Sequence, residues 1–251
     1  MTISGLITAI RFLTIIPVPG RALLGPHALG RSAGWFPVVG LALGASLALE
    51  ARVLSLAFPP LLSALLVLLT WKLLTGGIHL DGLADSLDGL SGGTPDQRLA
   101  VMRDSRIGVF GALGLIAVVS LGFLTLAELA GPLRARAFLV APPVGRLVPL
   151  LLARTCVPAT PSRGVGAAFM DAVTRRALVV GSSVVVTAAA VTLWPWGLVA
   201  AGVGLAVPWA AARFFSRRLG GLTGDSLGAG VELGELTVLL ALASIHHLRL
   251  V

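Results

Sequence analysis

The stretch ALVVGSSVVVTAAAVTLWPWGLVAAGVGLAVPWAAA, Ala177 to Ala212, runs for 36 residues without one ionisable side chain. A helix that crosses a bilayer needs about 20 apolar residues. The run therefore has the length of two crossings, and Trp194, Pro195 and Trp196 mark where it divides. Tryptophan prefers the headgroup level and proline cannot continue a helix, so a short turn is expected there.

The rest of the chain has the same character. Mean hydropathy is +0.96, with 56% hydrophobic and only 12% charged residues, against about a quarter charged in soluble domains. Candidate spans fall at about 33 to 57, 60 to 78, 107 to 128, 137 to 153, 177 to 193, 197 to 212 and 233 to 249. The expected fold is all-α, a polytopic membrane helix bundle of about seven transmembrane helices. An N-terminal interfacial or re-entrant helix ending at Pro17 and a short cytoplasmic helix complete it. All 251 residues are expected to form one membrane domain, because spans of this length leave no room for a soluble module. The first residues, MTISGLITAIRFL, place Arg11 within the apolar stretch and have no basic lead-in, unlike a cleaved signal peptide.

The net charge is +8, yet the basic residues are spread over many loops without aromatic interleaving, which speaks against nucleic acid. They read instead as an orientation signal. Arg11, Arg21 and Arg31 precede the first span; Arg98, Arg103 and Arg106 follow the second; Arg154, Arg163, Arg175 and Arg176 follow the fourth; Arg213, Arg217 and Arg218 follow the sixth. All fall on one side, read as cytoplasmic, while Arg134, Arg136 and Arg249 dissent. The expected location is the cytoplasmic (inner) membrane, with the N terminus and the active site facing the cytoplasm. The single cysteine, Cys156, excludes an internal disulfide and a cysteine-rich metal site.

Against this apolar background two acidic segments stand out. In GGIHLDGLADSLDG, Asp81, Asp85 and Asp88 are spaced i, i+4 and i+7, one narrow stripe on a helix of 3.6 residues per turn. Three converging carboxylates repel unless a cation sits among them. Hard oxygen donors favour Mg²⁺ or Mn²⁺, whose shell is completed by water and substrate phosphate. In TGDSLGAGVELGE, Asp225 and Glu232 repeat the seven-residue spacing and Glu235 follows, as the last span begins. Asp225 could instead cap that helix; capping does not account for Glu232 or Glu235, whose burial would need a partner.

Between these segments, Thr94, Pro95 and Gln97 read as N-cap, first residue and capping-box partner of a short helix. Arg103 and Arg106 flank Asp104 and Ser105 just before the third span. Guanidinium groups grip phosphate oxygens in pairs, although the same residues could merely anchor and cap the span. His79, beside the acidic stripe, is a candidate proton acceptor or a structural histidine. His27, His246 and His247 lack metal spacing. With no P-loop, nucleophile elbow or zinc helix, the residues by themselves lead to a Mg²⁺-dependent membrane transferase acting on a diphosphate.

At GGIHLDGLADSLDG the chain resembles the adenosylcobinamide-GDP ribazoletransferase family, also called cobalamin 5'-phosphate synthase. RFLTIIPVP from Arg11, GWFPVVGLALG from Gly34, MRDSRIGVFG from Met102 and TGDSLGAGVELGEL from Thr223 look like that family's blocks in its order. The resemblance implies transfer of adenosylcobinamide-GDP to alpha-ribazole or its 5'-phosphate with Mg²⁺, giving adenosylcobalamin or its phosphate and releasing GMP. The ribazole 3'-hydroxyl would attack the phosphorus nearer the cobinamide arm. Carried onto this chain, it implies metal and diphosphate binding at Asp81, Asp85 and Asp88, with Asp225 and Glu232 as a second ligand group. Arg103 and Arg106, with Ser105 between them, would hold phosphate. Asp104 or His79 would take the proton. Gly145 and Arg146 stand where the pattern leads to Ser-Arg, and Arg146 would either meet phosphate inside the bundle or snorkel. The partners so implied are these small molecules and membrane lipid; a homo-oligomer or a complex with other cobalamin assembly enzymes is compatible with them.

Two rival enzyme readings and one from another class stand beside it. Asp85, Asp88 and Gly89 make the DxxDG of CDP-alcohol phosphotransferases, but Gly92 and Gly93 replace the Ala-Arg of that signature and its following DxxxD is missing. A prenyltransferase with aspartate-rich helices is the second. An ion-coupled transporter is the third, and it would hold its carboxylates near the bilayer midplane.

Overall fold

The computed structural model describes residues 1–129, 131–160 and 164–249. Arg163, counted above among the basic residues of one side, lies outside the described residues.

Among the described residues the chain forms thirteen α-helices and no β-sheet. In order they are α1 (Ile3–Leu13), α2 (Ala28–Ser32), α3 (Phe36–Ala57), α4 (Pro60–Leu74), α5 (Ile78–Asp88), α6 (Pro95–Val101), α7 (Val109–Glu128), α8 (Pro132–Phe138), α9 (Ala141–Thr155), α10 (Val165–Ala172), α11 (Arg175–Leu193), α12 (Trp196–Leu219) and α13 (Gly224–His247). Six segments are long and apolar enough to cross a membrane: Ala28–Ala57, Val109–Glu128, Pro132–Thr155, Arg175–Leu193, Trp196–Leu219 and Gly224–His247. Helices α4 and α5 make a seventh only as a pair bent by 85°. Side chains such as Leu56, Val109 and Val191, each at least 74% exposed, point outward where hydrocarbon takes the place of water. The chain is a multi-pass membrane protein.

Helix ends follow local chemistry. The hydroxyls of Thr2, Thr94, Thr174 and Thr223 each accept a backbone N–H of the first turn that follows. The expected capping box is complete, with the Gln97 side chain accepting from the Thr94 N–H at 3.1 Å. Helix α1 is too short to span a bilayer. The Arg11 guanidinium folds back to donate to the Val18 and Gly20 carbonyls, pinning the loop that follows the helix.

Two boundaries differ from expectation. The second span ends at Leu74 rather than 78, because Gly76 and Gly77, at φ of 63° and 67°, reverse the chain and launch α5 across the bundle. The last helix begins at Gly224 rather than near 233. The glycines of TGDSLGAGVELGE are thus interior to a helix, and Thr223, not Asp225, is its N-cap.

Helix α9 is the central post, buried along almost its whole length and packed by α3, α11, α12 and α13. Glycines set the closest crossings, as Gly40 and Gly44 suggest from sequence. A Cβ on Gly40 would lie 2.7 Å from the Pro142 carbonyl oxygen, and one on Gly44 would run into the Phe138 carbonyl. Arg134 dissents from the charge pattern for a structural reason. It is buried and donates to the Leu126 carbonyl at 2.7 Å, the Ser63 hydroxyl at 3.1 Å and the Pro60 carbonyl at 3.0 Å. The guanidinium clamps the ends of α4 and α7.

Candidate active site

The acidic stripe lies on α5, and the first three turns of α13 run alongside it. Contact is backbone to backbone: a Cβ on Gly82 would stand 2.8 Å from the Asp225 carbonyl oxygen and 3.0 Å from its Cα. Two segments about 140 residues apart along the chain therefore meet. Asp81 and Asp225 line one cavity, and Asp81, Asp85, Asp88 and Asp225 are near enough for their charges to act on one another.

The cavity holds about 320 Å³. Most of its wall is apolar, supplied by α1, α3, α10 and α13, but Asp81, Asp225, His79 and Arg146 also face it. His79 is 5% exposed and its Nδ1 has no hydrogen-bond partner. Arg146, at 1% exposure, pairs with Glu235 through Nη1, while its Nε and Nη2 make no hydrogen bond. Buried polar atoms are normally satisfied, and these lie behind the cavity wall beside Asp81 and Asp225. A second, more polar cleft, lined by Arg103, Met102 and Thr160, shares Gly166, Gly224 and Asp225 with the first. The site thus has two lobes with Asp225 in the wall of both.

Not every expected residue belongs to it. Asp88 is turned to α7, where its carboxylate accepts the Gly108 N–H at 2.7 Å and the Gly111 N–H at 2.8 Å. Gly108 precedes α7 and has no side chain to cap it, so Asp88 serves as the cap from another helix. Glu232 is also engaged: Lys72 Nζ lies 2.5 Å from it and 3.3 Å from Glu235. Lys72, Arg146, Glu232 and Glu235 form a buried set of two cations and two anions tying α4, α9 and α13, which is how such charges persist inside a membrane protein. The partner that Glu232 and Glu235 require is Lys72, the only lysine in the chain. Its place within an apolar span is the signal that would have marked it. Gly145 leaves the room the pair needs, because a Cβ there would lie 2.6 Å from Glu235 Cγ.

Asp104, Ser105 and Arg106 form a turn outside both lobes. Arg106 grips Asp104 with Nη2 at 2.6 Å and Nε at 3.0 Å, and these hydrogen bonds hold the Asp104 carboxyl down to about 2. A carboxylate so stabilised is a weak base.

Among the described residues no three His, Cys, Asp or Glu side chains converge closely enough to enclose a metal by themselves. The donor chemistry still fits Mg²⁺, which is commonly held by one or two carboxylates with substrate phosphates and water completing its shell. Asp81 and Asp225, facing one cavity, with Asp85 beside them, are such a set.

The family model for cobalamin-5-phosphate synthase matches residues 5–243. A protein of Ectopseudomonas mendocina named adenosylcobinamide-GDP ribazoletransferase is 41% identical over 241 residues, covering 94% of this chain and 96% of its own length. Proteins of the same name from Syntrophobacter fumaroxidans and Klebsiella pneumoniae are each 40% identical, over 250 and 247 residues, covering 95% and 96% of this chain and 98% and 99% of their own lengths. No solved structure matches. Acidic stripe, glycine-rich α13 and membrane bundle all lie within a match that spans nearly the entire sequence, and the chain belongs to the cobalamin-5-phosphate synthase family.

Proposed function

We propose that this chain catalyses the last assembly step of cobalamin. It joins adenosylcobinamide-GDP to alpha-ribazole or alpha-ribazole 5'-phosphate and releases GMP, on the cytoplasmic face of the inner membrane. The observation that carries the reading is the meeting of Asp81 and Asp225 at one cavity, beside an Arg146 and a His79 that have buried polar atoms without hydrogen-bond partners.

In the reaction a ribazole hydroxyl attacks the phosphorus nearer the cobinamide arm. The bond from that phosphorus to the bridging oxygen breaks, and GMP leaves with the bridging oxygen. Charge grows on the phosphoryl oxygens, so positioned cations lower the barrier. Arg146 lines the apolar lobe and Arg103 the polar one, which puts one arginine beside each. Asp81 and Asp225, with Asp85, would hold Mg²⁺, which when bound neutralises diphosphate charge and orients the leaving group. His79 takes the proton of the attacking hydroxyl; it lines the cavity, whereas Asp104 lies outside it and is bound to Arg106. Asp88 and Glu232 support the site from behind, one by capping α7 and the other by holding Lys72.

Purified protein supplied with adenosylcobinamide-GDP, alpha-ribazole and Mg²⁺ should release GMP in step with formation of the cobalamin. Asp81→Asn should abolish release while the protein still inserts and folds. Near-normal turnover in that variant would refute the metal assignment. Orientation is read separately, by labelling Asp96→Cys and Trp194→Cys in a Cys156→Ser background from each side of the membrane. Equal access from one side would break the topology.

A further inference from the structure

Helix α12 ends in a basic cluster that the proposed reaction does not use. Arg213, Arg217 and Arg218 occupy its last two turns, and Arg175 and Arg176 open α11, its neighbour in the hairpin turned at Trp194 to Trp196. All five are exposed. Among the described residues, none of their guanidinium groups pairs with a carboxylate or donates a hydrogen bond. Other arginines are spent within the protein: Arg11, Arg31, Arg98 and Arg154 donate to backbone carbonyls, and Arg106 to Asp104. Two of the five lie on aromatic rings instead, Arg213 at 5.7 Å from the centre of Trp209 and Arg218 at 4.9 Å from that of Phe214. A ring covers one face of a guanidinium and accepts none of its in-plane N–H groups, so the fork that grips phosphate stays free. The apolar side of the same helix continues below. Val199, Val203, Val207 and Phe214, each at least 40% exposed, share a side of α12 with the three arginines at helical spacing. Helical rise puts Arg213 about 26 Å from Trp196, close to the roughly 30 Å of bilayer hydrocarbon. With the tryptophans at one headgroup level, the arginines reach the other.

We propose that the ends of α11 and α12 form a binding site for an anionic phospholipid. Its phosphate is held by Arg213, Arg217 and Arg218, with Arg175 and Arg176 alongside, and its acyl chain lies on the valine side of α12. Basic clusters at the end of a membrane helix attract anionic headgroups in this way. The inference goes beyond the proposed reaction and does not depend on it. An orientation signal needs positive charge alone, whereas this cluster adds free donors directly above an apolar, outward-facing surface. A soluble diphosphate would use the donors but gain nothing from that surface, and none of the five arginines lines either lobe of the active site. Only an amphiphile with a negative head uses both. Occupancy here also bears on the active site, because Arg98 Nη1 donates to the Arg218 carbonyl at 2.9 Å and so ties the last turn of α12 to α6, whose Leu99 lines the polar lobe.

The test uses the full-length protein in lipid nanodiscs of phosphatidylcholine containing increasing fractions of phosphatidylglycerol with brominated acyl chains, which quench tryptophan on contact. The Trp209 signal is the difference between the protein and its Trp209→Phe variant. Wild type is expected to reach saturating quenching at a low phosphatidylglycerol fraction and to show only weak quenching from equal fractions of brominated phosphatidylcholine. Arg217→Gln should raise the fraction for half-maximal quenching about fivefold, as loss of one arginine near an anionic surface does. The triple exchange of Arg213, Arg217 and Arg218 to Gln should leave phosphatidylglycerol no better than phosphatidylcholine. Because a ligand of the folded state stabilises it, phosphatidylglycerol should also raise the thermal unfolding transition of wild type and not of the triple variant. If the triple variant fails to fold, Arg217→Gln and Arg176→Gln carry the test. Equal quenching by the two lipids in wild type overturns the proposal and reduces the arginines to an orientation signal. So does quenching that is unchanged in folded variants. Displacement of the lipid by soluble pyrophosphate overturns it as well, since the cluster would then belong to a phosphate ligand from solution.

Discussion

Gly82→Ala tests whether the closeness of α5 and α13 makes the site. The added methyl would stand 2.8 Å from the Asp225 carbonyl oxygen and 3.0 Å from its Cα. Both atoms are backbone, so no rotamer change can relieve the clash. Ordinary contact for such a pair begins near 3.4 Å, so the helices must part by about half an ångström. Overpacking of this kind costs about 1–3 kcal/mol, against which alanine returns up to about 1 kcal/mol of helix preference. A net loss of about 1–2 kcal/mol leaves the protein folded. The effect on chemistry is larger. A misplacement of about 1 Å costs on the order of 10²-fold, so half that displacement between Asp81 and Asp225 should lower kcat/KM about tenfold. Gly122→Ala is the control: it is buried in α7, and its Cβ would meet only Leu68, at 3.8 Å, so turnover should stay within twofold. GMP release and thermal unfolding, measured on both variants in nanodiscs, decide the matter. Wild-type turnover in Gly82→Ala would refute the reasoning, as would equal losses in the two variants.

Lys72→Met removes one cation from the buried set and leaves Glu232 and Glu235 facing Arg146 alone. Breaking a buried pair in this way costs about 3–5 kcal/mol, so thermal unfolding of Lys72→Met should fall sharply, with Lys72→Arg recovering part of the loss. An unchanged transition would show that the contact contributes nothing. Asp88→Ala should lower stability by about 1–2 kcal/mol through loss of the α7 cap while the Mg²⁺ concentration for half-maximal turnover stays put; a shift in that concentration would return Asp88 to the metal set. Asp104, held at about 2 against an ordinary 3.8, contributes stability that is present above the ordinary value and lost as pH falls through about 2. Its charge is therefore constant between pH 5 and 9, and Asp104→Asn should leave the pH profile of turnover unmoved, whereas His79→Gln should lower turnover across that range. A profile that follows Asp104→Asn instead would transfer proton acceptance to that residue.

How much could be read in advance depends on the reach of the interaction concerned. Spans, the capping box at Thr94 and the alignment of Asp81, Asp85 and Asp88 follow from about 20 residues of hydrocarbon and from repeats of three and four residues, all local in the chain. The start of the last helix was less legible: hydropathy places the last span from about 233, whereas the helix begins at Gly224, where the glycines let α13 lie directly against α5 and α9.

Which partner each charge finds was not legible. Asp88 reaches a helix start 20 residues away and Lys72 a carboxylate 160 residues away. By itself the sequence determined a membrane bundle with two acidic segments beside an apolar interior, since hydropathy and helical period need no knowledge of neighbours. Only the tertiary structure decided that Asp81 and Asp225 face a cavity while Asp88 and Glu232 are held by a helix end and an ammonium group. A carboxylate inside a membrane protein must find either a ligand or a permanent partner, and which of the two it finds is set by what the fold brings beside it.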